Sequence, residues 1–347
     1  MSSPTPLISV CCITYNHENF IQEALDGFLI QQTSFPIEII VHDDASTDNT
    51  TNIIYDYKEK HPDLIKIILQ TENQYSKRGF GFISDLFAQA RGKYIALCEG
   101  DDYWTDPFKL QKQVDFLEAN LDFAICFHKV NILEAGQIID DYITWVPSSI
   151  STITDLANGN YIHTPSCVFK NNTLKILGAN FHDSPLGDYY IHMMNAQYGK
   201  IFCIDEVMSI YRLHGTSTFS SQSMTYKIAK TLKAIEVISK DLQKPDIEVN
   251  QRLIDAHIRC NIDIYNQLQL TPEVNFRNVI ITLTDFKNTL ANFHPDEYRL
   301  RLIENLIDIE KKVTKLETHQ ENNHNSIRWL TKILVLLIKK RIFKLFT

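Results

Sequence analysis

Asp101 and Asp102 stand side by side just beyond the apolar run Tyr94 to Leu97, within Leu97-Cys98-Glu99-Gly100-Asp101-Asp102-Tyr103-Trp104. A buried strand that ends in two carboxylates brings acid to its own carboxyl end, the place where α/β sheets hold ligands. Paired carboxylates there either ligate a hard cation such as Mg²⁺ or Mn²⁺ or cap the next helix. The cap is supplied separately, because Asp106-Pro107 offers an N-cap and an N1 proline to a helix with Leu110, Val114 and Leu117 on one face. The pair is therefore available for chemistry. A second pair, Asp43-Asp44, follows the run Ile37 to Val41 and opens Asp43-Asp44-Ala45-Ser46-Thr47-Asp48. Alone it reads as an Asx-turn. Facing Tyr15 across a pocket, it could accept a pyrimidine imide N–H while the aromatic ring packs on the base.

These acids need a frame. Strand-like runs at Leu7 to Ile13, Ile37 to Val41, Ile65 to Leu69 and Tyr94 to Leu97 alternate with helical patterns. The first helix carries Phe20, Ala24, Phe28 and Ile21, Leu25, Leu29 at helical spacing; the second spans 49–59, opened by Asp48 as cap; the third ends at Gly92. Such alternation implies a mainly parallel sheet whose functional loops, 14–16, 43–48 and 99–104, lie at the strands' carboxyl ends. Further strand patterns are Phe123 to Val130, Ser166 to Phe169, Ile201 to Ile204 and Val207 to Tyr211. Beyond residue 225 only helical patterns follow, at 225–243, 247–268, 272–291 and 295–318. The reading divides the chain into 1–222, a helical extension 223–320 and a basic tail 321–347.

Composition narrows the classes. The 347 residues are 44% hydrophobic and 22% charged, with a formal net charge of −8, an ordinary composition for a folded soluble chain. Residues 322–347 carry Arg328, Lys332, Lys339, Lys340, Arg341 and Lys344 and no acid, so the body is more acidic than the total suggests. An acidic body argues against a nucleic-acid partner. The seven cysteines lack C-x-x-C spacing and read as buried thiols in a reducing compartment, and Met1 to Pro6 has no signal-peptide pattern. A cytoplasmic location is expected. Leu302, Leu306, Ile309, Val313 and Leu316 fall short of a coiled-coil repeat and suggest packing in a bundle. In the tail, Trp329-Leu330 and Ile333 to Ile338 are interspersed with cations and are too short to span a bilayer. An interfacial helix on an anionic membrane surface, at the inner face of the cell membrane, is the expectation; the other reading is a helix packed on the body with solvated lysines.

In order and spacing, Ile8-Ser9-Val10 to Thr14-Tyr15-Asn16, Asp43 to Thr50, and Gly92-Lys93-Tyr94-Ile95 with Glu99-Gly100-Asp101-Asp102 resemble the N-terminal half of the family 2 glycosyltransferases. The resemblance covers roughly residues 7–220. It implies the GT-A nucleotide-diphospho-sugar transferase fold, an α/β fold with a Rossmann-like, mainly parallel sheet, here followed by an all-helical C-terminal extension. It also implies that Thr14, Tyr15, Asn16, Asp43, Asp44 and Asp101 bind the donor nucleotide, with Tyr15 and Asp44 on the uracil. Asp101 and Asp102 would form the DxD-type element, Asp102 being the direct ligand of Mg²⁺ or Mn²⁺ on the diphosphate. Asp188, in Ser184-Pro185-Leu186-Gly187-Asp188-Tyr189-Tyr190, matches the family's general base; otherwise it is a first-turn acid favoured by the helix dipole. His214, in Tyr211-Arg212-Leu213-His214, would be a further metal ligand or else a surface histidine.

Asn158 to Ser166 resembles the family's acceptor-facing segment, within which His163 would touch the acceptor or else be a satisfied structural histidine; Trp104, after the acidic pair, is a further acceptor candidate. Lys77 and Arg78 occupy the loop where the family places a cation near the nucleotide, although Gln74 to Gly79 departs from its pattern. Ala45 stands where glycine is frequent, which implies a turn without positive φ there. Gly79-Phe80-Gly81 is not a dinucleotide fingerprint, because Ser84 occupies the third glycine position. The implied activity is inverting transfer of a sugar from a nucleotide-diphosphate donor, a UDP-sugar, to a hydroxyl of a glycan or lipid-linked acceptor in bacterial surface polysaccharide assembly. Two other readings are a nucleotidyltransferase and a catalytically inactive GT-A-fold interaction protein at the membrane. The first lacks its glycine-rich, arginine-containing signature after the first strand; the second would have no need of the acids retained here.

Overall fold

The computed structural model describes residues 5–260, apart from 173–176, 216, 218, 244–247, 251, 254, 257 and 258. The chain begins β1 (Ile8–Thr14), α1 (Ile21–Leu29), β2 (Ile37–Asp43), α2 (Thr50–Lys60), β3 (Ile65–Leu69), α3 (Gln74–Arg78), α4 (Ile83–Gln89) and β4 (Tyr94–Glu99). It continues with β5 (Tyr103–Trp104), α5 (Lys109–Ala119), β6 (Phe123–Glu134), β7 (Gln137–Asp140), β8 (Ile150–Ser151), α6 (Ile153–Leu156) and β9 (Val168–Lys170). Last come α7 (Gly187–Ala196), β10 (Lys200–Leu213) and α8 (Met224–Asp241).

One ten-stranded sheet runs β3-β2-β1-β4-β9-β6-β10-β5, with β7 on β6 and β8 on β10. β3, β2, β1 and β4 are mutually parallel, so the ends of β1, β2 and β4 open on the same side. That is the expected α/β arrangement. β9 then runs antiparallel between β4 and β6, and β10 lies parallel beside β6.

The parallel strands read as continuous apolar runs because both faces are covered. Along β1 the side chains alternate between two cores. Val10 and Cys12 join Ile21, Leu25 and Phe28 of α1 and Leu110 and Val114 of α5. Cys11 joins Leu86 and Phe87 of α4 and Tyr189, Tyr190 and Met193 of α7. α8, capped by the Ser223 hydroxyl accepting from Tyr226 N–H, adds Leu232, Ala234, Ile235, Val237 and Ile238 to that second core. Cys11, Cys12, Cys98, Cys126, Cys167 and Cys203 are buried thiols. Among the described residues no helix is long and apolar enough to cross a membrane. The helices expected at 272–291 and 295–318 and the tail 321–347 lie outside the described residues.

Three local expectations change. The two strands expected at 201–204 and 207–211 are one strand, β10, whose register against β6 slips between Ile204 and Ser209. The exposed Asp205, Glu206 and Val207 occupy this irregularity, where a bulge lets the strand continue while polar residues leave the ladder. α5 starts at Lys109 rather than at Pro107, because Asp106 Oδ1 accepts from Phe108 N–H (2.7 Å) in a preceding turn. Ala45 does have positive φ, +64°. Its neighbours over-determine the strained turn: Asp44 N–H donates to Thr14 O (2.9 Å), and Asp43 accepts from the backbone and hydroxyl of Ser46.

Candidate active site

β4 ends at Glu99, and Gly100 turns the chain so that Asp101 and Asp102 lie beside the end of β1. A Cβ on Gly100 would stand 2.8 Å from Thr14 Oγ1 and 2.9 Å from Ile21 Cδ1, so the approach of the two strand ends requires glycine. Asp102 Oδ1 accepts the backbone N–H of Arg212 at 2.8 Å. Arg212 Nε donates to the Asp101 carbonyl (2.8 Å), its guanidinium pairs with Glu23, and it lies over the Phe20 ring at 4.8 Å. Asp101 Oδ2 is 2.9 Å from His214 Nε2 and 3.8 Å from His17 Nε2.

Two carboxylate oxygens remain. Asp101 Oδ1 and Asp102 Oδ2 are buried with no hydrogen-bond partner among the described residues. Buried polar atoms are nearly always satisfied, and an oxygen-seeking divalent cation supplies what these two lack. The acids therefore fit such an ion, although no group of three or more His, Cys, Asp or Glu forms a ready-made ligand cluster among the described residues.

The electrostatics follow from crowding acids away from water. Burial, with the charges of Asp101 and Glu99 added, pushes Asp102 well above the usual carboxylate range. Burial beside Asp101 and Asp188 raises Glu99 to about 8. Burial also acts upward on Asp101, but the His214 hydrogen bond and the proximity of His17 outweigh it and hold Asp101 low. His17 itself is pushed down by burial despite Asp101.

The second acidic turn is tightly bonded. Asp43 Oδ2 accepts from Thr51 Oγ1 (2.7 Å), while Asn16 Oδ1 accepts from Thr47 N–H (2.8 Å), tying the β1 and β2 loops together. Asp44 Oδ1 and Oδ2 accept the N–H groups of Gln74 (2.6 Å) and Tyr75 (2.9 Å) at the start of α3. Asp43 and Asn16 thus build the turn, and Asp44 ties it to α3. Tyr15 beside them is 41% exposed.

Across the opening, Asp188 occupies the first turn of α7. Gly187 before it admits the Phe80 ring, which a Cβ would meet at 2.6 Å. Asp188 Oδ2 accepts from Asn160 Nδ2 at 2.9 Å. Burial raises the Asp188 carboxyl, and the bonds from Tyr189 N–H and Asn160 counter only part of that rise. A cleft of 340 Å³ is lined by Glu99, Asp101, Asn160, His163, Asp188, Tyr211 and Arg212, among others. His163 packs on Tyr211 with ring centroids 4.6 Å apart, and its Nε2 lies 3.0 Å from Asp141 Oδ2. Burial works against the Asp141 carboxylate, but the His163 and Thr144 hydrogen bonds bring it down to about 2.

The cleft therefore unites Asp101, His163 and Asp188, with Asp102 and His214 bonded around the same acidic turn. Lys77 and Arg78 are exposed on α3 and paired with Glu72 and Asp85. Trp104, expected at an acceptor, is 2% exposed; its Nε1 donates to Pro165 O (2.9 Å) and its ring packs on Phe28. It belongs to the core because β5 alternates, turning Tyr103 outward and Trp104 in. The sequence alone assigns no role to His17, Arg212, Asn160, Asp141 or Glu99. His17 follows Thr14-Tyr15-Asn16 directly, and Asn160 lies within Asn158 to Ser166, so a place in or beside a motif is their only signal.

An open-edged sheet with acids at the ends of β2 and β4 and a carboxylate facing them from α7 is the GT-A class of fold. Residues 9–176 match the family model Glycosyl transferase family 2. An uncharacterized protein of Mycobacterium tuberculosis is 39% identical over 221 residues, 62% of this chain and 61% of that protein. The match thus spans about three fifths of the mycobacterial relative. An uncharacterized glycosyltransferase of Haemophilus influenzae is 31% identical, covering 62% of this chain and 68% of its own length. The Escherichia coli UDP-Glc:alpha-D-GlcNAc-diphosphoundecaprenol beta-1,3-glucosyltransferase WfaP is 34% identical over 34% of this chain and 43% of that enzyme. The Staphylococcus aureus TarS 1–349 structure in complex with UDP-GlcNAc superposes with a TM-score of 0.61 at 19% identity, covering 81% of each chain. The TarS likeness is one of fold. The chain belongs to glycosyltransferase family 2.

Proposed function

We propose that the protein is an inverting glycosyltransferase that moves a sugar from a UDP-sugar to a hydroxyl of a glycan or lipid-linked acceptor. The observation that carries this reading is the shared cleft, in which Asp188 faces Asp101 and Asp101 keeps a buried oxygen without a partner. The UDP preference draws support from the UDP-GlcNAc complex of TarS and the UDP-Glc specificity named for WfaP. It also draws on Asp44, whose carboxylate has lone pairs beyond the two that accept backbone N–H groups, with Tyr15 beside it for the base.

Asp188 takes the proton of the acceptor hydroxyl as that oxygen attacks the anomeric carbon. The new C–O bond forms as the bond to the diphosphate breaks, so a single displacement inverts the configuration. A carboxyl raised by burial is a better proton acceptor for an alcohol than an ordinary aspartate. Asp102 and Asp101, with His214 beside them, would hold Mg²⁺ or Mn²⁺, which when bound neutralises charge on the departing diphosphate. Arg212 keeps both acids in place, and His163 stands where the acceptor enters. The basic tail fits an enzyme recruited to the cytoplasmic membrane leaflet, where a lipid-linked acceptor would be held. The retained base and acid pair favour an enzyme over an inactive interaction protein. UDP release from a panel of UDP-sugars with Mn²⁺ tests the reading; release from none, at any acceptor concentration, overturns it.

A further inference from the structure

Behind Asp188 lies a partly buried polar chain that the transfer step does not itself use. Asn160 donates through Nδ2 to Asp188 Oδ2 at 2.9 Å. Its Oδ1 faces Ile162 N–H at 3.3 Å and His192 Nδ1 at 3.3 Å. An amide flip would aim the Asn160 oxygen at a carboxylate and its NH₂ at a backbone N–H, so the chemistry of the partners allows one orientation. With that oxygen as acceptor, His192 carries its proton on Nδ1, leaving Nε2 towards the Cys167 thiol at 3.4 Å. His192 is fully buried on α7, and burial brings its imidazole down to about 3, so it stays neutral. Gly159, at φ +151°, gives the loop a turn that places Asn160 at this junction.

We infer that Asn160 and His192 are positioning residues for the Asp188 carboxylate: His192 locks the Asn160 amide, and the locked N–H keeps Asp188 anionic and facing the cleft. The inference rests on Asp188 being the base. It explains how a carboxylate on the core-packed α7 stays competent, since burial favours its protonated form and the Asn160 N–H, together with that of Tyr189, opposes that. The other titratable groups facing Asp188 are Glu99 of β4, His163 of the loop after α6, Cys167 before β9 and Tyr211 of β10. The variants below replace none of them.

The test is the titration of Asp188 in the full chain labelled with ¹³C-aspartate, its Cγ resonance assigned by its loss in Asp188→Asn. Asn160→Ala should raise the midpoint by about one pH unit. His192→Phe should raise it part of the way, and His192→Asn, whose amide N–H overlays Nδ1, should restore it. The acid limb of UDP release from UDP-GlcNAc, or from whichever UDP-sugar is turned over, should shift with the midpoint. An unmoved midpoint in Asn160→Ala overturns the inference. If His192→Phe does not fold, the partly buried Asn160 position decides alone. The two readings fail separately: turnover retained in Asp188→Asn removes the base assignment, whereas an inactive Asp188→Asn with an unshifted Asn160→Ala removes only the positioning chain.

Discussion

The backbone N–H of Arg212 donates to Asp102 Oδ1 at 2.8 Å and joins two elements 110 residues apart in the chain. The contact depends on sheet order. β5 pairs with β10 so that Ser209 lies opposite Trp104 and Ile210 opposite Tyr103, which brings the end of β10 over the acidic turn. Because the donor is backbone, the identity of residue 212 does not supply it; the position of β10 does. The bulge upstream sets that position, so fold and acid geometry are linked through a single strand.

Asp102→Ala removes this acceptor and one of the two unpartnered buried oxygens. We expect metal-dependent UDP binding to weaken at least tenfold, about 1.4 kcal/mol, by calorimetry with and without Mn²⁺. Unchanged Mn²⁺ dependence would move the ligand role to another residue.

Asp188→Asn keeps the shape and the Asn160 neighbour but cannot accept a proton. Turnover should fall by roughly 10²–10⁴-fold, with UDP binding intact. In the native protein the rate should decline as pH falls through a midpoint above the ordinary aspartate value, because burial raises the Asp188 carboxyl. A rate flat down to pH 4 would contradict that placement.

Asp43→Ala should destabilise the protein rather than alter its chemistry. Asp43 is 2% exposed and accepts from Ser46 and Thr51, so its loss strands partly buried donors, at a cost of about 1 kcal/mol. Thermal unfolding measures it; an unchanged melting temperature would show that the turn stands without Asp43.

Lys109 is fully buried, bonded to Gln113 Oε1 (2.8 Å) and set 4.1 Å from the Trp104 ring. Burial lowers its ammonium to about 8 from 10.5. Between those values the unfolded chain binds more protons than the folded one, so this group makes stability rise with pH from about 8 to 10.5. Below pH 8 the penalty is fully present. Lys109→Met should remove it, raising stability at pH 7 and flattening the rise, as read from denaturant midpoints at pH 7, 8, 9 and 10.

Deleting 326–347 should release the protein from anionic liposomes, because six cations and the apolar residues among them are removed together. Undiminished co-sedimentation would place any membrane contact elsewhere.

Much of the frame was legible because parallel strands buried on both faces give uninterrupted apolar runs, and polar turns at their carboxyl ends mark the ligand side. The apolar run Ile65 to Leu69 coincides with β3 to the residue. Non-local relations were not legible. No periodicity reveals that β9 inserts antiparallel between β4 and β6, or that Asp205 and Glu206 bulge within one strand. The site divides in the same way. Asp101 and Asp188 lie in motifs and meet in one cleft, whereas His17, Arg212 and Asn160 gain meaning only when the sheet carries them to those acids. Ala45 shows the limit of a residue-type rule, since the bonds of its neighbours hold an alanine at a φ that glycine favours.

The most direct measurement is calorimetric titration of the protein with UDP, GDP and CDP, each with and without Mn²⁺. The account predicts binding that is selective for UDP and strengthened by Mn²⁺, as expected for a pyrimidine read beside Asp44 and a diphosphate held at Asp101 and Asp102. Binding of no nucleotide under either condition would contradict it and point to a non-catalytic role for this fold.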